Sequence, residues 1–339
     1  MARNLDSTTA DRIVDRPTAK QGDPILSVVI VNWNTHDVLA RCLQSLREQS
    51  MPRAERVGQA SGAGLSYEVI MVDNASSDGS VEMVHREFPW VRTIANRVNV
   101  GFARANNQAI PQSRGRYALL LNPDTLVRPG ALETLVSFVD THPDAGAAGA
   151  RLVNTDGTLQ PSCHPAPTLS RELWRLFHLD VLHPYSRYPM ENWDHDVPRE
   201  VDAAQGACLL LRRKALDQVG LLDEDYFIYS EEVDLCYRLR EHGWKVYWVP
   251  QAAVVHHGGQ STRQAATEMF LRLYEGKVLY FRKRQGRLAA RTYKLILAAA
   301  ALARLLISPL AWLEPPIRRR RHRALAGHYR RLLATLPRL

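Results

Sequence analysis

The stretch ILSVVIVNWNTHDVLARCLQSL, residues 25–46, decides the fold class. Its first seven residues are almost wholly apolar and mostly β-branched, which predicts a strand buried on both faces of a sheet. From His36 onward the apolar side chains recur at helical spacing and form one stripe: Val38, Leu39, Cys42, Leu43 and Leu46. A buried strand followed at once by an amphipathic helix is typical of an α/β protein.

The same alternation continues along the next part of the chain. Strands are predicted over residues 67–72, 91–95 and 117–121, and helices over residues 80–87 and within residues 99–111. Strands and helices that alternate in this way imply a doubly wound sheet with right-handed crossovers. Because ligands of such sheets bind at the carboxyl ends of the strands, the polar residues that follow the strands are candidates for a binding site.

The second half of the chain has a less regular pattern. A strand is predicted over residues 201–212, a helix over residues 231–242 and a further strand over residues 245–249, and residues 253–257 lead into a Gly-Gly-Gln-Ser loop. Residues 160–200 are dense in Pro, His, Trp and Tyr without a clear period. That segment is therefore predicted to be a long, partly ordered excursion.

Composition and charge exclude several classes of protein. The four cysteines lack a CxxC spacing, which argues against a disulfide framework or a cysteine-rich zinc site. The net charge of +9 is uneven, because residues 282–339 hold 15 Lys and Arg and one acid while the rest of the chain is mildly acidic. A uniformly basic nucleic-acid binder does not have this distribution, so no nucleic-acid partner is expected. Residues 1–24 lack the apolar segment of a secretory signal and are predicted to be a disordered leader.

The basic segment, residues 282–339, is predicted to be an amphipathic helical tail that associates with a membrane. Residues 295–313 are apolar apart from Arg304, and basic clusters flank them on both sides. A helix that lies in the plane of an anionic inner leaflet, with Trp312 at the headgroup level, fits this pattern better than a spanning helix. The alternative is a helical hairpin that packs on the catalytic body or on a second copy of the chain in a homo-oligomer.

Two carboxylates directly follow predicted strands. Asp73 comes after the second strand, and Asp124 follows the fourth strand in the tripeptide Asn122-Pro123-Asp124. A carboxylate in this position can accept hydrogen bonds from a nucleobase or ribose, or it can hold a hard cation against a diphosphate. The alternatives are that Asp73 and Asp78 cap the next helix and that the tripeptide is a plain turn.

A third polar segment, residues 99–107, contains Asn99, Gly101 and Asn106. Gly101 permits a close approach of the backbone, and the asparagines offer donors and acceptors without charge. The alternative is an N-capped helix that begins at Gly101. This segment is a candidate for binding a polar ligand.

An acidic cluster and a histidine complete the candidates. Glu231, Glu232 and Asp234 follow an aromatic run, and crowded carboxylates raise one another's pKa, which suits a general base near neutral pH. The alternative is that these acids only enrich the N-terminus of a helix. His256 in its neutral form can complete the ligand set of a cation with Asp124.

Taken in order, these segments resemble the family-2 glycosyltransferases, in particular the bacterial rhamnosyltransferase-like branch. The matching stretches run from about residue 26 to 262: SVVIVNWNTHDVLARCLQSL, VDNASSDGS, NVGFARANNQAI, LLLNPDT, GACLLLRRKALDQVGLLDEDYFIYSEEVDLCYRLREHGWKV and VVHHGGQST. The resemblance implies a GT-A type fold, a doubly wound mixed sheet flanked by helices, and inverting transfer from a nucleoside-diphosphate sugar. A nucleotidyltransferase or a dehydrogenase is disfavoured, because neither a basic Gly-rich phosphate loop nor GxGxxG follows the first strand.

The resemblance also implies roles in donor and metal binding. Asp73, with Asn32 nearby, is expected to hold the base of the donor nucleotide. Asp124 is expected to bind a divalent metal ion, Mg²⁺ or Mn²⁺, together with His256. The remaining donor-binding candidates are Asn99, Gly101, Asn106 and Asn122.

For the general base the resemblance leaves three candidates. Glu231 and Glu232 stand where the family has a Glu-Asp pair whose second acid is the usual base. Since this chain has Glu in place of the expected Asp, the base is one of Glu232, Glu231 and Asp234.

The function that the resemblance implies is transfer of a sugar, with dTDP-rhamnose favoured, to a hydroxyl group of a lipid-linked or polysaccharide acceptor in cell-envelope glycan synthesis. The alternatives are a UDP-hexose transferase and a non-catalytic nucleotide-sugar-binding or scaffold member of the same fold. Residues 25–281 are expected to form the GT-A domain, with residues 25–125 binding the nucleotide sugar and residues 126–281 binding the acceptor and carrying catalysis. Residues 282–339 are expected to attach the cytoplasmic enzyme peripherally to the inner face of the membrane.

Overall fold

The computed structural model describes residues 23–49, 64–307 and 316–339. The leader predicted over residues 1–24 lies outside the described residues except for its last two positions. Trp312, which was expected at the headgroup level, also lies outside them. Within the described part, the chain folds as a mixed α/β protein with a central sheet flanked by helices.

The first half of the chain alternates strands and helices, as its sequence pattern predicts. Strand β1 (Leu26–Asn32) is buried along its whole length, and helix α1 (His36–Gln49) follows it and buries the predicted apolar stripe apart from Val38, which is half-buried. The further elements of this half are β2 (Tyr67–Asp73), α2 (Ser80–Glu87), β3 (Arg92–Ala95), α3 (Phe102–Ala109) and β4 (Tyr117–Leu121).

The second half contains shorter strands and more helices. Its elements are β5 (Thr125–Val127), α4 (Ala131–Thr141), β6 (Ala145–Val153), β7 (Cys163–His164), α5 (Leu169–Leu176), β8 (Arg199–Val201), β9 (Ala203–Ala204), β10 (Cys208–Arg212), α6 (Arg213–Val219), α7 (Glu231–Glu241), β11 (Lys245–His256), α8 (Ala266–Arg284), α9 (Gly286–Ile307) and α10 (Pro316–Thr335).

One strand prediction for this half is wrong. The single strand predicted over residues 201–212 is divided into three, because β8 pairs with β11, β9 pairs with β7, and β10 pairs with β4 and β6. The strand predicted over residues 245–249 is present and continues to His256 as β11. An irregularity in the register between Val249 and Ala253 lets β11 continue its pairing with β6.

The order of the strands brings several chain segments to one edge of the sheet. Along the sheet the order is β3-β2-β1-β4-β10-β6-β11-β5. β1 is parallel to β2 and to β4, β10 is antiparallel to β4 and β6, and β11 is parallel to β6. The carboxyl ends of β2, β1, β4, β6 and β11 therefore meet the beginning of β10 at the same edge, where ligands of open α/β sheets bind.

Helices cover both faces of this sheet. On one face α1, α2 and α4 pack on alternate residues of the strands, such as Val28 and Leu119. On the other face α3, α6 and α7 pack on the intervening residues, such as Val29 and Leu120. This arrangement explains why the strand sequences are apolar at every position rather than at every second one.

The predicted C-terminal tail is helical, and it is packed on the rest of the chain. Helices α8, α9 and α10 form a third core with α5, which includes Leu176, Phe281, Tyr293, Leu297 and Leu332. This is the packed hairpin that the sequence left as the alternative arrangement. The boundary expected between residues 281 and 282 lies inside α8. In the part of the chain that the structure describes, every helix is too short or too polar to cross a membrane.

A buried ion cluster joins α5 to the C-terminal helices. The Glu172 carboxylate on α5 accepts hydrogen bonds from Arg175 at 2.6 Å, from Lys277 on α8, and from the Tyr293 hydroxyl on α9 at 3.3 Å. Burial of the carboxyl favours its neutral form, but the charges of Lys277 and Arg175 outweigh burial and lower the pKa of Glu172 to about 2.

We predict that Glu172→Gln loses about 3 kcal/mol of unfolding free energy at pH 7, because the pKa of this carboxyl falls from 4.5 to about 2 on folding. A lowered folded-state pKa stabilises the protein above the unfolded-state pKa, and this stabilisation is lost as the pH falls toward 2. The difference between variant and wild type should therefore shrink over that range. Urea unfolding at pH 7 and at acid pH measures this difference in unfolding free energy, with Glu241→Gln at the exposed end of α7 as the control. A difference that does not change with pH would contradict the prediction.

Candidate active site

A cleft opens at the edge of the sheet where these strand ends meet. It consists of two adjoining pockets that share five lining residues: Phe102, Asn122, Ile228, Gly259 and Thr262. The second pocket has a volume of about 380 Å³, which is within the range of small-molecule sites. Most of the predicted site residues line the cleft: Asn99, Gly101, Asn122, Asp124, Glu231, Glu232 and His256.

Asn32 and Asp73 lie behind the lining of the cleft. They are register partners at the ends of β1 and β2, and the Asn32 amide Nδ2 donates to Asp73 Oδ1 at 2.9 Å. Asp73 Oδ2 accepts from the backbone N–H of Ser76 at 2.8 Å. Both residues are buried, so their side chains fix the loop after β2, while the neighbouring Asn74 lines the cleft. Asp78, rather than Asp73, accepts from the backbone N–H of Ser80 at the start of α2.

Gly101 brings the start of α3 into contact with the loop before α7. The N–H of Phe102 donates to the Phe227 carbonyl at 2.6 Å, and Gly101 has a φ of +87°. A Cβ atom at Gly101 would lie 2.4 Å from the Phe227 oxygen. The Asn99 side chain supports this conformation, since its Oδ1 accepts from the N–H of Gly101 at 3.0 Å. Glycine is thus required here both by its φ angle and by the close approach.

Asn106 is not part of the cleft. Its side chain is buried on α3, and its Nδ2 donates to the Phe102 carbonyl one turn earlier in the same helix at 2.9 Å. The predicted donor-binding set is thus brought together at Asn99, Gly101 and Asn122, whereas Asn106 lies apart from it.

Asp124 and His256 face each other across the cleft floor. His256 Nε2 lies 3.3 Å from Asp124 Oδ1, and its Nδ1 lies 2.6 Å from the Gln160 Oε1 atom. The amide oxygen of Gln160 is an acceptor, so Nδ1 donates to it and Nε2 points at Asp124. Burial opposes ionisation of Asp124, but His256 and the N–H of Gln260 outweigh it and hold the pKa of Asp124 below its ordinary value.

This pair has the donor chemistry of a divalent metal site. A buried, ionised carboxylate lies beside an imidazole nitrogen whose ring is oriented through its other nitrogen by a neighbouring carbonyl oxygen, as metal-ligating histidines are. Among the described residues, His, Cys, Asp and Glu form no cluster of three or more that could hold a metal ion. One or two carboxylates are the ordinary protein ligands of Mg²⁺, which takes its other ligands from water and substrate phosphates. Asp124 therefore fits a hard divalent ion, whereas the imidazole of His256 suits a transition-metal ion better than Mg²⁺.

Glu231 and Glu232 begin α7 and line the second pocket. Burial raises the pKa of both carboxyls, and the negative charge of Glu232 raises the pKa of Glu231 further. Backbone N–H groups at the helix start, including that of Val233, partly oppose the rise at Glu232. Among the described residues, the Oε2 atom of each side chain has no hydrogen-bond partner. Glu231 is the more buried of the two side chains, and the pKa of its carboxyl is raised further than that of Glu232.

Asp234 does not line the cleft, although it is adjacent in sequence to the glutamate pair. Its carboxylate is fully buried and accepts from Arg238 at 2.9 Å, from Arg284 at 2.6 Å and from the Tyr226 hydroxyl at 3.2 Å. A carboxylate held by two guanidinium groups is unable to take a proton from a substrate. Asp234, one of the three candidates for the base, therefore does not fit that role, because it lies one turn further along α7, where Arg238 and Arg284 of α8 bind it.

The loop before α7 is held in a strained conformation. Tyr229 and Ser230 have φ angles of 71° and 72°, in the left-handed region that non-glycine residues rarely adopt. Helix α8 packs closely against this loop, since a Cβ atom at Gly276 would lie 2.6 Å from the Tyr229 carbonyl oxygen. The guanidinium group of Arg272, also on α8, lies 4.7 Å from the ring centroid of Phe227. The C-terminal helices thus take part in positioning the glutamate pair.

Sequence reasoning missed several residues of the cleft. Asn74 lines it and donates to the Gly101 carbonyl at 3.2 Å. Its place beside Asp73, within VDNASSDGS, was the signal that pointed to it. Gln160 orients His256 from a segment without any periodic pattern, and no feature of the sequence connects the two.

Comparison with known proteins decides the family. The model described as "Glycosyl transferase family 2" matches residues 27–220. The chain belongs to glycosyl transferase family 2. A second model, "Glycosyl transferase family group 2", matches residues 195–335 and so includes the C-terminal helices. The resemblance drawn from the sequence is confirmed, and the chain is a glycosyltransferase.

Curated relatives of this glycosyltransferase include rhamnosyltransferases. It is 34% identical over 257 residues to the N-acetylglucosaminyl-diphospho-decaprenol L-rhamnosyltransferase of Mycobacterium tuberculosis, and the match covers 70% of this chain and 78% of the relative. It is 26% identical over 251 residues to the rhamnosyltransferase WbbL of Escherichia coli, with 72% and 87% of the two chains covered.

Solved structures share the fold of this glycosyltransferase. A mannosyltransferase of Pyrobaculum calidifontis, in complex with GDP-Man and Mn²⁺, is 18% identical with a TM-score of 0.52, and 94% of this chain and 88% of that chain are covered. GalNAc-T7 with UDP, GalNAc and Mn²⁺ is 17% identical with a TM-score of 0.50, and 70% and 44% of the chains are covered. At these identities the likeness establishes the fold alone, and the predicted GT-A type fold is confirmed.

We predict that Gly101→Ala lowers sugar transfer about a hundredfold, because the added Cβ pushes the Phe227 loop and the glutamate pair out of position. Gly130→Ala is the matched control: Gly130 has a φ of +81°, but no atom lies within 4 Å of its added Cβ. The control should lose about 1 kcal/mol of stability from its backbone and keep its activity. Initial rates and thermal unfolding measure both variants. Equal rates in the two variants would contradict a role for this backbone contact.

Proposed function

We propose that this glycosyltransferase moves rhamnose from dTDP-rhamnose to a hydroxyl group of a lipid-linked diphosphate acceptor, with inversion at the anomeric carbon, as a step in cell-envelope glycan synthesis. The proposal is carried by the placement of the Asp124–His256 pair and the Glu231–Glu232 pair along one cleft. The names of the M. tuberculosis and E. coli relatives support rhamnose as the sugar, and the former supports a lipid diphosphate that bears N-acetylglucosamine as the acceptor.

The donor nucleotide is assigned to the first pocket. Asn74, Asn99 and Gly101 line it at the ends of β2 and at the start of α3, and they offer amide and backbone groups to a base and ribose. Asp73 and Asn32 support this pocket from behind, by holding the loop that carries Asn74. In this proposal Asp73 shapes the base site, as the hydrogen bonds of its two oxygens indicate.

The donor diphosphate is assigned to the junction of the two pockets. Asp124 and His256 would hold a divalent cation there, and this cation, when bound, supplies electrostatic stabilisation of the charge that develops on the leaving diphosphate. Asn122 lines both pockets and offers a neutral side chain beside His256. Gln160 keeps the imidazole in the orientation that this role needs.

Glu232 is assigned as the general base. The acceptor hydroxyl enters the second pocket, where Glu232 takes its proton as the oxygen attacks the anomeric carbon from the face opposite to the leaving group. Burial raises the pKa of Glu232, which makes its carboxylate a stronger proton acceptor than an exposed glutamate. In this proposal the proton of the pair stays on Glu231, whose pKa is raised further, so that the pair carries a single negative charge.

The place of action follows from the acceptor. A lipid-linked acceptor presents its diphosphate and sugar at the surface of a membrane. We therefore place this enzyme at the inner face of the cell membrane as a peripheral protein, with the nucleotide sugar supplied from the cytoplasm.

We predict that Glu232→Gln loses transfer activity by about a thousandfold, whereas Glu231→Gln keeps most of it, since glutamine resembles a protonated glutamate and removal of a general base costs about 10²–10⁴-fold. Glu241→Gln, at the exposed end of the same helix, should have no effect. In the wild type, kcat/KM should fall with decreasing pH along a limb that lies above the ordinary glutamate pKa of 4.5. Nucleoside diphosphate release measures all four proteins. Full activity in Glu232→Gln would show that Glu232 is not the general base.

The donor is tested by binding, independently of turnover. With Mg²⁺ or Mn²⁺ present, dTDP-rhamnose should raise the melting temperature of the wild type and of Glu232→Gln more than UDP-glucose, UDP-N-acetylglucosamine or GDP-mannose does, because a ligand of the folded state stabilises it by mass action. Asp124→Asn should lose the part of this shift that depends on the metal ion. A larger shift with a UDP-sugar would replace the proposed donor by a UDP-hexose, and no shift with any nucleotide sugar would overturn the proposal.

A further inference from the structure

Helix α9 carries an exposed apolar stripe. Leu288, Leu295, Leu302 and Leu306 recur at intervals that place them on one side of the helix. These four side chains are between 51% and 80% exposed. The buried residues of α9, among them Tyr293 and Leu297, lie on the opposite side and pack in the core with α5, α8 and α10. The leucine stripe, defined as these four residues, therefore faces away from the protein.

A group of cations lies beside the leucine stripe. Arg287, Arg291 and Lys294 follow one flank of α9, and together with Arg282 of α8 they line one pocket whose lining contains no Asp or Glu. None of the four has an ion-pair partner among the described residues, and α9 itself contains no acidic residue. Four unpaired cations next to exposed leucines form a surface that is both apolar and positively charged.

We propose that α9 docks this enzyme on the surface of an anionic lipid bilayer, with the leucine stripe in the headgroup region and Arg287, Arg291 and Lys294 against lipid phosphates. An amphipathic helix that lies in the interface combines these two contributions. The docking surface is more specific than the tail 282–339 expected from the sequence, because the structure shows which side of α9 remains exposed. The inference rests on the proposed function in one respect, namely that a lipid-linked acceptor requires the enzyme to work at a membrane surface.

Charge favours a bilayer over a second copy of the chain as the occupant. In a symmetric dimer the two copies present the same patch to each other, so two surfaces of the same positive charge would be brought together. With no acidic residue on α9 to pair with the cations, that contact would place like charges together. An anionic bilayer instead offers phosphates to every one of these cations.

Vesicle flotation of the full chain tests the docking without any need for turnover. The enzyme should float with phosphatidylcholine vesicles that contain phosphatidylglycerol, float poorly with phosphatidylcholine alone, and be released by high salt, which screens the cations. Inorganic phosphate and glycerophosphoglycerol should not compete. The inference would be overturned if the wild-type protein does not float with anionic vesicles. It would also be overturned if a soluble phosphate abolishes the binding to these vesicles.

Matched variants test the surface itself. Leu302→Glu should lower the vesicle partition coefficient at least tenfold, whereas Val197→Glu, at a side chain of nearly equal exposure away from α9, should leave it unchanged; the two are 51% and 50% exposed. The triple variant Arg287→Gln, Arg291→Gln, Lys294→Gln should lower it about a hundredfold, because each cation near an anionic surface contributes about fivefold. The triple variant Arg41→Gln, Arg86→Gln, Arg128→Gln removes the same charge elsewhere and should keep most of the binding.

Transfer assays and sedimentation distinguish docking on a bilayer from dimer formation and from loss of sugar transfer. Leu302→Glu should transfer sugar to a water-soluble acceptor at the wild-type rate and lose transfer to an acceptor embedded in anionic vesicles. If Leu302→Glu floats as well as the wild type, the stripe is not the docking surface. If sedimentation shows a wild-type dimer that Leu302→Glu converts to a monomer, a second copy covers the stripe and the inference is wrong. A chain that docks as expected but transfers no sugar would reject the proposed function alone.

Discussion

The parallel register of β1 with its neighbours β2 and β4 is the constraint on which the site depends. It aligns Asn32 with Asp73, so that their side chains hydrogen-bond at the carboxyl ends of their strands. The same register ends β4 next to them, where the chain turns into Asn122 and Asp124. Because β11 runs in the same direction, its last residue, His256, reaches this edge from the far side of the sheet. Backbone pairing alone thus brings together residues that lie more than a hundred positions apart.

The cleft concentrates features that are unfavourable for folding. Two carboxyl groups with raised pKa values lie beside each other, and the loop before them holds two consecutive residues at positive φ. Contacts elsewhere outweigh these costs. Helix α8 packs on the loop through Gly276 and is bound to α7 by the pair of Arg284 with Asp234. On its other side α8 packs on α9, so one helix connects the catalytic loop with the surface proposed to dock on lipid.

The elements that could be predicted from the sequence are those with strong local patterns. The predicted boundaries of α1 and α2 match the structure, because their apolar spacing is set within the helix itself. The strand predicted over residues 201–212 failed, since its three pieces pair with partners far along the chain, and no local pattern encodes that choice. In the site, Asp124 and His256 could be named as a pair, whereas Gln160 could not, because only folding brings it to the imidazole.

The sequence by itself determined the fold class, the family and the set of polar segments that meet at the sheet edge, because apolar periodicity and motif order are local properties of the chain. The tertiary structure decided which members of each segment are functional. Glu231, Glu232 and Asp234 are three acids in one short segment, and residues three apart, such as Glu231 and Asp234, lie on the same side of a helix. Tertiary packing separates them, because the two glutamates line the cleft whereas Asp234, one turn further along α7, is bound by Arg238 and by Arg284 of α8. The tertiary structure also decided which side of α9 is buried, and so which leucines remain exposed to a membrane.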